Sequence, residues 1–384
     1  MVFHVQVGDL VRIEKGKKAS QVFERPSACA RRYLQIDDLR PDAKRKFVEP
    51  FPCPVASESD VVIACDGAYA GTVSCNLNGY IGSTLAVLRP STQRLFAPYL
   101  SRFLEGKFHF LQENSTGATV PHVSRDVLES LELPLPNMAE QQRIAKKLEQ
   151  ADRLRRTRRY AVELSDSFLP AAFLELFGDH KDSWQVVTVE ALAAPKRGSI
   201  RTGPFGSQLL HSEFTDSGIA VLGIDNAVSN RFEWAERRFI SPAKYGELKR
   251  YTVFPGDVLI TIMGTCARCA VVPDGMPTAI NTKHLCCITL DQSKCLPVFL
   301  HGAFLHHPEI RRQLGVLQKG AIMDGLNMEI IKGLRFPLPP LPLQQKFAAL
   351  VEHHERLRAT KREALRQAEH LFQTLLHQAF SEAM

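Results

Sequence analysis

Few residues in this chain have the type and spacing to do chemistry. Cys266-x-x-Cys269 followed by Cys286-Cys287 has the outline of a four-thiolate zinc site. Adjacent cysteines chelate one tetrahedral ion poorly, because the second pair of a zinc ribbon needs its own two-residue gap. The runs around them are apolar and strand-like, so buried small hydrophobes are the better account. The cysteines number nine, an odd count that argues against a disulfide framework. His306-His307 and His353-His354 are adjacent pairs that a helix points in different directions, which suits packing or solvated roles better than metal ligation.

Catalytic motifs are missing as well. Gly16-Lys17 lacks the upstream glycine of a phosphate loop, and Gly106-Lys107 is followed by Phe108 rather than Ser or Thr. There is no G-x-S-x-G elbow, no H-E-x-x-H, and no Asn- or Asp-Pro-Pro-aromatic motif of the kind an amino-methylating DNA methyltransferase uses to hold a flipped base. The chain reads as non-catalytic, with no cofactor or metal of its own.

Charge points elsewhere. Arg143, Lys146, Lys147, Arg153, Arg155, Arg156, Arg158 and Arg159 crowd into one segment against Glu140, Glu149 and Asp152. A solvated helix flank and a phosphate-binding face are both readings of such a cluster. The net charge of +7, with pI about 8.9, is compatible with nucleic acid without demanding it. No run of eighteen apolar residues exists and the N-terminus has no basic, apolar leader, so the expectation is a cytoplasmic protein without membrane association.

The elements that carry these residues are written twice. Ser115 to Phe177 returns as Gln318 to Phe380, 203 positions later and without a gap. That period is far too long for a solenoid, whose repeats run ~20–50 residues, so whole domains are duplicated. Each copy passes from a Pro-rich entry (Leu133-Pro134-Leu135-Pro136; Phe336-Pro337-Leu338-Pro339) into a helical run of about 35 residues, roughly 50 Å at ~1.5 Å per residue. Leu350, Leu357, Ala364 and Leu371 keep a seven-residue spacing, which predicts a coiled-coil seam with Leu154 and Ala161 in the other copy. Pro170 should kink or end the first helix. The expected fold is mixed α/β: two pseudo-symmetric α/β domains separated by a long antiparallel two-helix coiled coil, domains that the resemblance named below implies are target-recognition domains. The domains fall at 1–135 and 181–336, the helices at 136–180 and 337–384.

Outside the helices the copies share a frame and differ in loops. Gly256-Asp257-Val258-Leu259-Ile260-Thr261 parallels Ser59-Asp60-Val61-Val62-Ile63-Ala64, and each strand runs into a glycine, Gly264 or Gly67. Gly203-Pro204-Phe205-Gly206-Ser207 shows no counterpart in the first copy, nor Arg31-Arg32 in the second. A common frame with free loops is the pattern of paired recognition domains.

Taken together, the Pro-Leu-Pro entry followed by Glu140-Gln141-Gln142-Arg143-Ile144, the helix ending Phe173-Leu174-Glu175-Leu176-Phe177-Gly178-Asp179, and the return of the pattern near the C-terminus resemble the specificity subunit of type I restriction-modification systems. Gly203 to Leu209 also resembles a segment common in their recognition domains. The second copy departs in one place, with Leu343 where the first has Glu140. The resemblance implies a subunit that reads a bipartite target in double-stranded DNA and docks two methyltransferase subunits, which restriction and translocation subunits then join. S-adenosylmethionine, ATP and magnesium would belong to those partners. The candidates for DNA contact are Arg31, Arg32, Tyr69, His122, Arg155, Arg201, Ser207, Gln208 and Lys319. Those for the helix or subunit interface are Glu140, Gln141, Leu154, Ala161, Gln344, Leu357 and Ala364. Two other classes stay open. A stand-alone DNA-modifying enzyme would act without partners, and a protein–protein scaffold would show no salt-sensitive affinity for DNA.

Overall fold

The computed structural model describes residues 3–39, 45–116, 121–178, 184–234, 236–315 and 326–381. The chain forms two compact units, residues 1–160 with 362–384, and residues 161–361, so each long helix contributes to both.

In the first unit β1 (Phe3–Gln6) pairs antiparallel with β10 (Glu132–Leu135), which ties the start of the chain to the Pro-rich entry. An antiparallel sheet runs in the order β2 (Val11–Lys15), β9 (Leu85–Pro90), β6 (Val61–Ala64), β7 (Val73–Cys75). Beside it lies a sheet ordered β4 (Lys46–Val48), β3 (Arg31–Leu34), β8 (Gly79–Ile81), β5 (Val55–Ala56), in which only β3 and β8 are parallel. The run Val61-Val62-Ile63-Ala64 is apolar throughout because both of its faces are covered. Val61 and Ile63 join a core with Tyr99, Leu100, Phe103 and Leu104 of the helix Ala97–Gly106, while Val62 and Ala64 pack on Leu34 and Ile81.

The second unit repeats this plan. β11 (Val186–Thr188) pairs with β21 (Arg335–Pro337), and a sheet runs β12 (Ile200–Thr202), β20 (Leu285–Ile288), β17 (Val258–Thr261), β18 (Cys269–Val271). The other sheet is β13 (Phe214–Thr215), β15 (Phe239–Ile240), β14 (Ile219–Leu222), β19 (Ala279–Asn281), β16 (Thr252–Val253), again with one parallel pair, β14–β19. Cys286 and Cys287 sit on opposite faces of β20, in different core clusters, as the two-residue period of a strand requires. Burial pushes the Cys286 thiol up to about 12 and that of Cys287 well above its ordinary value.

Two devices recur in both units. Asp60 and Asp257 are buried at equivalent turns, each accepting a backbone N–H (Ser57 at 2.8 Å, Phe254 at 2.9 Å) and each holding an arginine, Arg89 or Arg201. Gln141 and Gln344 open the long helices with no exposed surface. The Gln141 Oε1 accepts Phe96 N–H at 2.9 Å and its Nε2 donates to Arg94 O and Pro136 O. Gln344 does the same with Leu296 N–H, Lys294 O and Pro339 O. These bonds tie each helix start to the loop before the helix Ala97–Gly106 or its counterpart Pro297–His306.

The long helices span Met138–Asp166 and Leu341–Ser381. Pro342 lies in the first turn of the second, where its missing N–H has no cost. The first ends at Asp166, and Pro170 falls in the first turn of a separate helix, Phe168–Phe177. Within the first unit the two run antiparallel. Leu148 and Ala151 pack on Leu376 and Phe372, and Arg159 reaches Glu369 at 2.9 Å.

The seam, however, is one residue away from the leucine heptad. Leu357 and Leu154 are 46% and 40% exposed, and Ala161 and Ala364 are only half-buried. The inward row of the second helix is Phe347, Val351, His354, Arg358, Leu365, Ala368, Phe372 and Leu376. A shift of one residue turns a helix by about 100°, which carries the heptad leucines out of the seam. The middle of the seam is polar: His354 Nε2 meets Ser165 O at 2.8 Å, and Arg358 pairs with Asp166 at 2.6 Å.

Candidate nucleic-acid interface

Each unit gathers several loops at one end of its sheets, and a glycine launches one of them. Gly16, at the end of β2, lies so close to the β8 end that a Cβ would stand 2.2 Å from Gly82 O. Gly203, at the end of β12, is held likewise, 2.0 Å from Asn281 O. The registers β2–β9 and β12–β20 make Gly16-Lys17-Lys18-Ala19-Ser20-Gln21 the structural equivalent of Gly203-Pro204-Phe205-Gly206-Ser207-Gln208. The second segment therefore does have a counterpart in the first copy, one that differs at three of its six positions.

In the first unit the loop after β6 turns at Gly67, whose φ is +95°. It carries Asp66, which pairs with Lys15 Nζ at 3.0 Å and with His122 Nδ1 at 2.5 Å. Burial raises the Asp66 carboxyl, but the hydrogen bonds of His122 and Lys15 outweigh it and hold the carboxyl below its ordinary value. Tyr69 projects from the same loop, about half exposed. Lys18 and Arg31 are exposed, while Arg32 is turned back onto Asp38 at 2.6 Å.

In the second unit the equivalent loop turns at Gly264 (φ +66°), where a Cβ would stand 3.3 Å from Ile224 Cδ1 just beyond β14, and Ile262 N–H donates to His284 O at 2.9 Å. The exposed groups here are apolar as well as polar, with Phe205 and Met263 beside Ser207 and Gln208. The Gln208 Oε1 accepts Tyr251 OH at 2.9 Å, which fixes the side chain that the loop presents. Arg238 pairs with Asp225 beside Gly223. His284 is depressed by burial first, then by the cations Lys283 and Arg238.

The structure sorts the sequence candidates. Tyr69 and His122 share one loop end, and Ser207 and Gln208 share the other. Arg201 is buried, donating to Asp257 at 2.6 Å and to Thr289 at 2.9 Å, so it braces the sheet that supports the loops. Arg155 is mostly covered, bonded to Asp152 at 2.6 Å and Glu105 at 2.7 Å with its guanidinium 3.6 Å over Phe372. Glu140 pairs with Arg143 on the helix surface. Gln141 and Gln344 face inward, as described. Lys319 lies outside the described residues. Sequence reading passed over Lys15, Lys17, Lys18, Met263, Lys283 and His284. The signal that could have found Lys17 and Lys18 is the shared Gly-x-x-x-Ser-Gln spacing, obscured by different residues between its ends; Met263, Lys283 and His284 lie far from it in the chain. Among the described residues no group of His, Cys, Asp and Glu is arranged to hold a metal ion, and no helix is long and apolar enough to cross a membrane.

Residues 3–164 match the family model of the type I restriction modification DNA specificity domain. The chain is 24% identical to the type I restriction enzyme MjaVIII specificity subunit of Methanocaldococcus jannaschii, over 95% of this chain and 88% of that one. It is 23% identical to the EcoBI specificity subunit of Escherichia coli, over 84% and 73%. The crystal structure of a type I restriction-modification S subunit from M. genitalium matches with a TM-score of 0.63 at 14% identity, covering 99% of this chain and 96% of that one. A chain from a structure of type I complex assembly and conformational transition matches at 0.61 and 18% identity, covering 100% and 98%. At those identities the structural likeness is one of fold.

Proposed function

We propose that this chain, which is similar over most of its length to type I restriction-modification specificity subunits, is such a subunit and reads a bipartite sequence in double-stranded DNA, one half with each unit. The observation that carries this reading is the pair of loop ends. The frame beneath them repeats down to single residues (Gly16 and Gly203, Asp60 and Asp257, Gln141 and Gln344), while the groups they present do not. Base contacts specify and the scaffold only positions, so two readers of different sequence on one frame should look like this. Cations near the loop ends, Lys17 and Lys18 in one unit and Lys283 in the other, suit phosphate contact. Tyr69, Phe205, Ser207, Gln208 and Met263 suit base edges and thymine methyl groups.

The chain performs no chemistry in this reading. Methyltransferase and restriction subunits dock on it and bring S-adenosylmethionine, ATP and magnesium, in the cytoplasm. Leu154 and Leu357, exposed on the long helices, are apolar surface suited to such docking, and the helices set the spacer between the half-sites. The test is a chimera. Residues 1–135 are exchanged for the equivalent domain of a related specificity subunit, and methylation is mapped genome-wide with the partner subunits present. One half of the recognised sequence should change, with the other half and the spacer kept. A chimera that assembles and still methylates the complete original sequence removes recognition from the first unit and overturns the reading.

A further inference from the structure

The parallel strands of each unit end beside a cation of their own. In the second unit it is Arg238, opposite Val221, whose N–H donates to Arg238 O at 2.8 Å. In the first unit Tyr33 and Lys46 hold the equivalent places on β3 and β4. The two parallel pairs fix that equivalence, because Leu34 and Leu222 each accept the first N–H beyond β8 or β19, from Gly82 or Thr282, at 2.9 Å. Lys46 Nζ donates to Gln35 Oε1 at 2.7 Å. Gly223 stands where Gln35 does, and Arg238 reaches across it to Asp225. One position of the shared frame therefore carries a different cation on a different partner in each unit.

Asp225 does little else for the fold. The carboxylates that brace the sheets also cap a backbone N–H: Asp38 accepts that of Gln35 at 2.8 Å, Asp60 that of Ser57 and Asp257 that of Phe254. At the turn after β14 the cap is Asn226, which accepts Gly223 N–H at 2.8 Å in the place of Asp38. Asp225 is left to hold Arg238, and its Oδ2 is buried without a hydrogen-bond partner. The bracing side chains of Asp38, Asp60 and Asp257 are at most 2% exposed, whereas Arg238 and Asp225 are 29% and 30% exposed. The backbone does not require glycine at 223, where φ is −119°. What a Cβ there would meet, at 2.7 Å each, are Arg238 Nη2 and Asp225 Oδ1, so the glycine makes room for the ion pair. The pair sits at the C-terminal end of β14 beside β19, where parallel strands of a sheet commonly present a ligand.

We propose that Arg238 reads a guanine in the major groove, with Asp225 fixing its fork. The guanidinium Nε is buried, so its far end, Nη1 with the second proton of Nη2, is the edge that meets the base. Two such donors match guanine O6 and N7, adjacent acceptors that no other base presents in that groove. A phosphate is the poorer match. Asp225 beside the guanidinium would repel a second anion, whereas it orients and strengthens a contact with a neutral base.

The inference rests on the reading of the second unit as a sequence reader, and the experiment keeps the two apart. Complexes with the methyltransferase subunit are made with Arg238→Gln and with Asp225→Asn, and methylation is mapped on a DNA library that varies every position of the recognised sequence. The half-site of the second unit is the one that survives exchange of residues 1–135. In that half, discrimination at one G·C pair should fall about tenfold or more with Arg238→Gln, while every other position and the salt slope of binding hold. Asp225→Asn keeps the charge of Arg238 but loosens its fork, and it carries the test alone if Arg238→Gln does not fold. Discrimination at the same pair should then fall several-fold, with binding to random DNA no weaker. Affinity lost alike on all sequences, with a salt slope lower by about 1, makes Arg238 a phosphate contact and overturns the proposal. Unchanged discrimination at matched folded fraction overturns it too, as does a half-site without a G·C pair. All three results leave the two-reader model standing. A parent complex in which the second unit specifies no base overturns both.

Discussion

Replacing Gln141 by Ala should be among the most damaging polar substitutions in the chain. The side chain has no exposed surface and makes three bonds, to Phe96 N–H at 2.9 Å, Arg94 O at 2.8 Å and Pro136 O at 2.9 Å. Alanine leaves one buried N–H and two carbonyls without partners. Each unsatisfied buried group costs about 1–3 kcal/mol, and partial relief by entering water leaves a loss of about 3 kcal/mol for the unit. At about 2–4 °C per kcal/mol for a domain of this size, the first unit should melt roughly 6–12 °C lower. Gln344→Ala should do the same to the second unit, because Leu296, Lys294 and Pro339 form the same cage. Gln141→Glu should be no milder, since it sets a carboxylate oxygen against two carbonyls. Exposed Gln345→Ala is the control, with a change within about 0.5 kcal/mol. Calorimetry with urea titration of each variant reads the effect. A Gln141→Ala protein within about 0.5 kcal/mol of the parent would show that the cage does not anchor the helix.

Three further outcomes follow from the same structure. Arg155→Ala should destabilise the first unit by about 2 kcal/mol, because it takes one of the three arginines from buried Asp152, breaks the pair with Glu105 and uncovers Phe372, and DNA affinity at matched folded fraction should stay unchanged; Lys18→Ala should instead weaken binding alike on cognate and random DNA, lowering the salt slope by about 1. The seam register predicts that Phe372→Ala costs about 3–5 kcal/mol in urea melts, whereas Leu357→Ala stays within about 0.5 kcal/mol. The carboxyl of Asp152 is raised by burial, but the hydrogen bond of Arg155 and the charges of Arg102, Arg155 and Arg156 carry it below its ordinary value, and Asp66 is lowered in the same sense. A depressed acid stabilises the fold above its unfolded pKa, about 3.9, and loses that contribution as pH falls through the folded value. Urea melts should therefore weaken below about pH 4, and Asp152→Asn should flatten that acid limb while lowering stability at pH 7.

The amino-acid sequence by itself determined the duplication, the long helices with their Pro-rich entries, the strand Val61–Ala64 with its partner Val258–Thr261, and the absence of catalytic motifs. These are properties of order and period along the chain, and they need no knowledge of what lies across a contact. Tertiary structure alone decided which face of each helix turns inward. Leu357 has the better hydrophobicity, but Arg358 occupies the seam because Asp166 stands opposite it, and a one-residue choice of face depends on the partner. It likewise decided that Arg201 is a buried brace, since only the fold brings Asp257 from 56 residues away to neutralise it. The kinship of Gly16 with Gly203 was hidden for a related reason: what the two positions share is the close approach of a neighbouring strand's carbonyl, which forbids a Cβ and leaves the following residues free to differ.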